Sequence, residues 1–424
     1  AQALDDGRAT RAAAEGIRAR RDSAFQGLGS PPKGEHGRTV LLTGGTGLVG
    51  GALLHKLVTS VGAVGGPLAG RFDRIIALVR PGRAGAITSS TAVRDAISAG
   101  LVVPWQADLA APGFGLSSHA RRELAATAGL ILHCAADLSF TLPYGELAPA
   151  NVAATRELIT LMDEGSAKQL VLVSSASVLQ APEHRSPGCA VANGIQLARD
   201  EASALPDPAA LSVSYARTKW AADVMGSAAR EAGFAVTIVR PPWIAADLAG
   251  PFAPFGRDAK RGGDFLDRFA SACAALGAFP VGPFGWNVVD AGYVAEVVMA
   301  AARAPHVPVF HAGLPAPLPA TALGEAFAMA GQPLAPVPAS DWLARNETAL
   351  RADPGYPLRP LTPLFDNGHI AGGLSPIGAY IGGLMPELQS TNTLALLAHD
   401  GVAPSQAALT GPVRAALRAS APAQ

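Results

Sequence analysis

The chain has little that would mark it as a nucleic-acid-binding or disulfide-stabilised protein. Its 33 basic residues are matched by 33 acidic ones, whereas general binding to nucleic acid needs clustered positive charge. The three cysteines, Cys134, Cys189 and Cys273, are too few and too scattered for a disulfide framework or a zinc knuckle. We therefore expect a protein of the reducing cytoplasm that binds no nucleic acid and holds no metal.

Long apolar runs are also missing. A membrane-spanning helix needs about 18 apolar residues, and the nearest candidate, residues 370–385, is interrupted by Pro376 and several glycines. The arginine-rich N-terminal stretch is followed by no apolar segment, so we predict neither a signal peptide nor a membrane span. The chain begins with Ala rather than Met, as expected of a piece of a longer protein and equally of a trimmed N-terminus.

What the sequence does contain is a regular alternation of short apolar runs and longer amphipathic stretches. Nearly continuous apolarity indicates strands that are covered on both faces, which is typical of a parallel sheet between helices. Six such runs predict a doubly wound, Rossmann-type α/β domain. They lie at 39–42, 74–79, 102–105, 130–133, 169–173 and 236–239.

Changes in composition predict the domain organisation. Pro31-Pro32 ends a predicted helix at 9–24, so residues 1–37 are interpreted as a helix and linker. Beyond Arg240, proline and glycine become frequent, and helical patches are predicted at 264–276, 292–303 and 320–329. We predict a Rossmann-type domain at 38–245, rejoined by 288–305, and a smaller, mostly helical substrate-binding subdomain at 246–287 and 306–424.

A glycine-rich turn follows the first predicted strand and opens a helix, reading Thr43-Gly44-Gly45-Thr46-Gly47-Leu48-Val49-Gly50. Glycines at such a turn let the backbone approach a pyrophosphate, whose charge meets the helix N-terminus. This context predicts a dinucleotide site, although a plain tight turn is the alternative. The predicted cofactor contacts here are Thr43, Gly44, Thr46, Gly47, Leu48 and Val49.

The ends of the next two strands refine the cofactor prediction. NAD-specific enzymes place an acidic residue after the second strand, but this chain has Arg80 and Arg83 there. Guanidinium groups bind a 2′-phosphate, so we predict NADPH; solvated surface arginines are the alternative. Asp108 and Leu109 follow the third strand, where a carboxylate can accept from the adenine amino group or simply form a turn.

The fourth strand runs into small residues. Ala135 and Ala136 would let a cofactor lie across the sheet edge. His133 and Cys134, just before them, have no partner motif for metal or nucleophilic chemistry, and we interpret both as core residues.

A serine after the fifth strand and a Tyr/Lys pair on a later helix carry the predicted chemistry. Ser175 ends the fifth run, and Tyr215 and Lys219 follow at helical positions i and i+4, which share one face. A nearby ammonium is expected to lower the pKa of the phenol by stabilising phenolate. Ser175 would hold the substrate oxygen beside that phenol. We predict Ser175, Tyr215 and Lys219 as the catalytic residues.

Together these motifs resemble the extended short-chain dehydrogenase/reductase superfamily. From about residue 38 to 415 the closer resemblance is to its thioester reductase branch, which includes terminal reductase domains of nonribosomal peptide and polyketide synthases, carboxylic acid reductases and fatty acyl-CoA reductases. The resemblance implies a nicotinamide cofactor, a Ser–Tyr–Lys triad, and cofactor contacts that extend to Asn151, Pro241 and Ile244. It is carried by the glycine turn and by residues 78–80, 107–109, 133–137, 151–158, 173–178 and 388–393.

The resemblance predicts NADPH-dependent reductive release of a phosphopantetheinyl acyl or peptidyl thioester as an aldehyde, with an alcohol as the product of a second reduction. The expected partner is an acyl or peptidyl carrier protein, with the chain as one domain of a larger synthase. Arg18, Arg20 and Arg21 would either dock that partner or belong to a linker helix. The alternatives are a fatty acyl-CoA reductase, a sugar epimerase or dehydratase, a hydroxysteroid-type dehydrogenase, and a non-redox chain-release module.

Overall fold

The computed structural model describes residues 36–61, 68, 70–166, 168–180, 198–245, 265–282, 284–366, 377, 386–398, 402 and 413. The predicted N-terminal helix with its arginines lies outside these residues, as does Cys189. No helix in the described ranges is long and apolar enough to cross a membrane.

A parallel sheet of seven strands forms the centre of the fold and confirms the predicted fold class. In space its strands follow the order β7-β6-β5-β4-β1-β2-β3, and every neighbouring pair is parallel. The chain passes from β1 to β2 on one side and later to β4 on the other, so the carboxyl ends of β1 and β4 open a crevice at the switch point. The strands are β1 Thr39–Thr43, β2 Arg74–Val79, β3 Val102–Gln106, β4 Ala128–His133, β5 Gln169–Val173, β6 Ala235–Arg240 and β7 Val309–His311.

Helices cover both faces of the sheet because successive strand residues point to opposite sides. Val40 and Leu42 belong to one apolar layer, whereas Leu41 between them belongs to the other. The helices are α1 Leu48–Val61, α2 Thr91–Ser98, α3 Ser118–Thr127, α4 Tyr144–Ala148, α5 Ala154–Met162, α6 Ser214–Glu231, α7 Phe265–Leu276, α8 Ala291–Arg303, α9 Ala322–Met329, α10 Ala339–Ala352, α11 Thr362–Asp366 and α12 Thr391–Ala398. Helices α1 and α8 contribute to the first layer, and α3, α5 and α6 to the second.

The seventh strand, β7, corrects the prediction of six strands. It consists of three residues that pair with β6, Val309 opposite Ile238, and three residues are too few to show a strand pattern in the sequence. The strand lies in the range 306–424 that the sequence analysis assigned to the substrate-binding subdomain. The returning segment that was predicted to end at 305 therefore continues into the sheet.

A second core is built mostly from helices and short strands beyond β6, with contributions from residues 176–179 and 211–221. Large aromatic side chains fill it, including Phe269, Trp286, Phe327 and Trp342, each at most 3% exposed. The predicted helical patches are confirmed as α7, α8 and α9 to within two residues. The strand pairs are Trp243–Ala245 with Val288–Asp290, Ala278–Val281 with Ala335–Pro338, Gly285–Trp286 with Leu318–Pro319, and Ala198–Arg199 with Glu387–Leu388.

Candidate active site

The glycine turn between β1 and α1 has the shape that a dinucleotide requires. Gly44 has φ of +79°, in the left-handed region, and a Cβ there would lie 2.7 Å from the backbone N of Ala135. Gly47 donates a backbone hydrogen bond to the Gly44 carbonyl at 2.8 Å, and a Cβ on Gly50 would lie 2.1 Å from that carbonyl oxygen. The turn is thus packed closely against β4 and the start of α1, where Thr46, Leu48 and Val49 lie. Its bare backbone and the helix N-terminus fit a pyrophosphate.

A buried hydrogen-bond chain ties the end of β1 to the end of β4. The Thr155 hydroxyl donates to the Asn151 carbonyl at 3.0 Å and therefore accepts from His133 Nε2 at 3.3 Å. His133 Nδ1 then accepts from the Thr43 hydroxyl at 2.7 Å, whose oxygen accepts from the Ala135 backbone N–H at 3.2 Å. Burial, assisted by the nearby Lys219, lowers the pKa of His133 to about 3. His133 is therefore neutral and is a core residue, as predicted. The Thr43 hydroxyl holds the backbone segment that leads through Ala135 to Ala136.

The two arginines predicted to select the cofactor sit on an exposed turn after β2. Arg83 donates its backbone N–H to the Arg80 carbonyl at 3.0 Å, and Gly82 between them has φ of +77°. Both arginines are exposed. After β3, one Asp108 carboxylate oxygen accepts from the Ala110 backbone N–H at 3.0 Å, so this residue forms a turn. Leu109 beside it is half-buried.

The structure brings Ser175, Tyr215 and Lys219 together at the carboxyl edge of the sheet. Ser175 follows β5 and begins a short helical turn, where its Oγ accepts from the Ser177 hydroxyl at 2.9 Å. Tyr215, in the first turn of α6, forms a hydrogen bond with the Ser175 side chain. Lys219, one helical turn further on, donates to the Val173 carbonyl at 2.6 Å. Tyr215 is 8% exposed and Lys219 is 4% exposed.

The pKa of Tyr215 differs from the expectation. Burial raises the pKa of Tyr215 to about 12, and among the described residues the hydrogen bond with Ser175 acts against that rise. The expected lowering by Lys219 is wrong for this arrangement, since the ammonium is directed to the Val173 carbonyl. Burial also lowers the pKa of Lys219 to about 8, while Asp223 and Cys134 oppose that shift. At neutral pH the site therefore presents a protonated phenol, which can donate a proton, beside an ammonium.

Asn151 connects the loop after β4 to α6. It lies in the irregular turn Pro149–Ala153 between α4 and α5, and it is 2% exposed. Its Oδ1 accepts from the Asp137 backbone N–H at 2.7 Å, and its Nδ2 donates to the Asp137 carbonyl and the Thr218 hydroxyl, both at 3.0 Å. The amide therefore holds the loop against the helix that carries Tyr215 and Lys219. Its predicted contact with the cofactor stays a prediction.

Sequence reasoning missed a buried ion pair close to the predicted catalytic residues. Asp223 accepts from Arg240 Nε and Nη2, both at 2.9 Å, and from the Ser174 hydroxyl at 2.8 Å. Asp223 is 0% exposed and Arg240 is 3% exposed. The cluster joins α6, the end of β6 and the residue before Ser175. Asp223 stands four residues after Lys219, and this i,i+4 spacing was the one signal that could have pointed to it.

Pro241 and Ile244 lie just beyond β6. The Pro241 carbonyl accepts from the Ala176 backbone N–H at 2.8 Å, next to Ser175. Ile244 is half-buried in a short strand opposite Val289. Among the described residues, no group of three His, Cys, Asp or Glu side chains is arranged to hold a metal ion.

Comparison with known proteins assigns the family. Residues 42–298 match the NAD-binding family described as "Male sterility protein". The chain belongs to this family. A matching relative is the L-2-aminoadipate reductase large subunit of Penicillium chrysogenum, 28% identical over 281 residues, which are 63% of this chain and 18% of that protein. The chain therefore spans less than a fifth of that relative's length.

Solved structures share the fold. The terminal R domain of the myxalamid PKS-NRPS pathway superposes with a TM-score of 0.75 at 24% identity, covering 94% of this chain and 97% of that one. A thiolation-reductase di-domain from an archaeal non-ribosomal peptide synthetase gives a TM-score of 0.63 at 16% identity, covering 94% and 80%. Together with the family, these findings support an oxidoreductase that uses a nicotinamide cofactor.

Proposed function

We propose that this chain uses NADPH to reduce a carrier-protein-bound, phosphopantetheinyl acyl or peptidyl thioester, and so releases the chain as an aldehyde. The observation that carries the proposal is the meeting of Ser175, Tyr215 and Lys219 at the sheet edge beside the glycine turn. The names of the relatives support it, since they include an aminoadipate reductase and reductase domains of peptide and polyketide synthases. A solved thiolation-reductase di-domain supports a carrier protein as partner.

Several described residues would hold the cofactor. The glycine turn at Gly44 and Gly47 would take the pyrophosphate, and Arg80 and Arg83 would take the 2′-phosphate. Lys219 would bind the nicotinamide ribose. When bound, the nicotinamide supplies a hydride to the acyl carbon of the thioester.

Side chains of the protein then stabilise the negative charge that develops on the thioester oxygen. As the acyl carbon is reduced, its carbonyl oxygen becomes an alkoxide, which Ser175 and Tyr215 stabilise through hydrogen bonds. The Tyr215 phenol, whose pKa is raised, transfers its proton to this strongly basic oxygen and forms the hemithioacetal. The hydrogen bond with Ser175 stabilises the phenolate left behind, which takes up a proton from water before the next turnover. When the C–S bond breaks, the hydroxyl proton passes to the thiolate, and the products are an aldehyde and a thiol.

The part of the chain beyond β6 would bind the substrate, as predicted from its composition. Reduction of the aldehyde by a second NADPH would give an alcohol through the same proton donor. Identifying the product distinguishes transfer of two electrons from transfer of four. That the reaction takes place in the cytoplasm stays a prediction.

The test is to mix the protein with an acyl-pantetheine or acyl-CoA thioester and NADPH, follow the absorbance of reduced nicotinamide and identify the product. We expect NADPH oxidation with release of aldehyde or alcohol. Thiol release without oxidation would instead indicate a non-redox release module, and no reaction with free or carrier-bound thioesters would refute the proposal.

Substitutions test the roles proposed for Tyr215, Arg80 and Arg83. Tyr215→Phe is expected to lower kcat by about 10²- to 10⁴-fold, the usual contribution of a general acid. Tyr293→Phe is the matched control, because Tyr293 is also buried, lies on α8 and has a hydroxyl without a hydrogen-bond partner among the described residues. Replacing Arg80 and Arg83 with alanine is expected to raise the KM for NADPH and leave that for NADH unchanged. A Tyr215→Phe variant with full activity would contradict the assigned role.

A further inference from the structure

Three half-buried aromatic rings form a continuous series that starts at the catalytic tyrosine. The Phe140 ring lies 5.5 Å from that of Tyr215 and 5.5 Å from that of Phe265, between ring centroids. Trp243 continues the series, 5.3 Å from Phe265. Phe140 follows β4, Trp243 follows β6, and Phe265 begins α7, so separate parts of the chain bring these rings to the carboxyl edge of the sheet.

A buried aromatic layer supports the series from behind. Phe269 stacks on Phe265 at 6.2 Å, and Trp286 lies 5.4 Å from Trp243. Phe269 and Trp286 are 2% and 3% exposed, and the Trp286 indole donates to the Ala320 carbonyl at 3.1 Å. Because this layer is close-packed, it leaves no space into which the three partly exposed rings could move to become fully buried. The apolar surface beside Tyr215 is therefore a stable feature of the folded protein.

The surface continues toward solvent along the loop after β4. Leu138, two residues before Phe140, is 62% exposed, so the loop after β4 also presents a large apolar side chain to solvent. An exposed apolar patch with a few polar groups at one end is typical of a binding site for an apolar ligand. Here the polar groups at that end are those of Ser175 and Tyr215.

Resting on the function proposed above, we propose that Phe140, Phe265 and Trp243 form the wall that binds the acyl group, and that the natural thioester carries an apolar alkyl or aryl group next to its carbonyl. The rings contact one another in series, at interplanar angles of 45° and 72°. They therefore form a wall for an extended apolar group rather than a cage around a cation. A carboxylate against these three rings would lose hydration without an ion-pair partner from the rings themselves.

Phe140 is the specificity-determining position, because it contacts both the Tyr215 ring and the rest of the wall. Truncation to alanine removes apolar contact with the acyl group and none of the hydrogen bonds to the carbonyl. We expect Phe140→Ala to weaken an octanoyl ligand by about 10- to 100-fold, the value of burying one large apolar side chain. An acetyl ligand, which is too short to reach along the wall, should be affected less than about threefold.

Binding is measured by calorimetry on the full chain, with pantetheine analogues in which an amide replaces the thioester so that no turnover occurs. The acyl groups are acetyl, octanoyl, 3-phenylpropanoyl, glutaryl and 6-aminohexanoyl. We expect the octanoyl and phenylpropanoyl analogues to bind at least about tenfold more tightly than the charged ones. Phe140→Leu should restore most of the octanoyl affinity. Met329→Ala, which removes an 83% exposed apolar side chain on α9, is the matched control.

The outcomes separate this inference from the function on which it rests. If the glutaryl or aminohexanoyl analogue bound as tightly as the octanoyl analogue or more tightly, the proposal that the natural acyl group is apolar would be wrong. An equal loss of acetyl and octanoyl binding in Phe140→Ala would overturn the role of the wall. Octanoyl binding that depends on Phe140, without reduction of any free or carrier-bound thioester, would support the wall and refute the reductase. Reduction of the thioesters of the same five acyl groups at equal kcat/KM would support the reductase and refute the role of the wall.

Discussion

Replacement of Asp223 by asparagine is expected to damage both the stability and the electrostatics of the site. The substitution keeps the shape of the side chain but leaves the Arg240 guanidinium buried without its bidentate partner. Loss of one partner from a buried ion pair costs about 3–5 kcal/mol. Asp223 and Arg240 have side chains that are 0% and 4% exposed, so water cannot compensate. We expect a loss of that size in the free energy of unfolding, measured by urea denaturation.

The same change should alter the pH dependence of turnover. Asp223 raises the pKa of Lys219, which burial holds at about 8. Cys134, just after β4, also raises the pKa of Lys219. Without the carboxylate, Lys219 loses its proton at lower pH. The alkaline limb of the kcat profile should therefore move to lower pH, and activity at pH 8 should fall more than activity at pH 6.

Two further variants separate the structural effect from the electrostatic one. A double variant with Asp223→Leu and Arg240→Met removes both charges and should recover most of the stability, because apolar replacements of a buried pair are often neutral. It should not recover the pH profile. Glu347→Gln, in an exposed pair with Arg351, is the control and should cost less than about 1 kcal/mol. A cost below about 1 kcal/mol for Asp223→Asn with an unchanged pH profile would refute this reasoning.

Two other predictions follow from buried contacts. Gly44→Ala should lower the free energy of unfolding by more than the roughly 1–2 kcal/mol of left-handed strain, because its Cβ would also meet the backbone of Ala135. The same variant should abolish dinucleotide binding, measured by fluorescence. Gly100→Ala is the control, since Gly100 has φ of +75° with open space around it, and it should show the cost of the strain alone. As pH falls below about 6.5, the unfolded chain gains protons that buried His133 and His311 accept only near pH 3 and 4. Stability should therefore fall with acid, by at most about 1.4 kcal/mol per pH unit for each histidine. A urea midpoint that stays constant between pH 7 and pH 4 would contradict this.

Local patterns were enough to predict the sheet and the glycine turn. Five of the strands are buried along almost their whole length and the edge strand β3 is partly buried, so six of the seven appear in the sequence as nearly continuous apolar runs. A left-handed turn that packs against a neighbouring strand needs glycine, which identifies Gly44. Helical periodicity alone places Tyr215 and Lys219 on one face. The sequence therefore determined the fold class and the candidate catalytic residues.

Only the tertiary structure decided what depends on burial and on contacts between distant segments. β7 has three residues and exists because β6 offers it a pairing edge. The pKa of Tyr215 rises because the phenol is buried, and burial depends on how the whole chain packs. Asp223 pairs with Arg240 from another element, and Phe140 reaches Tyr215 across 75 positions of sequence. The sequence supplies these side chains, but packing sets their distances and their dielectric surroundings, on which their energies depend.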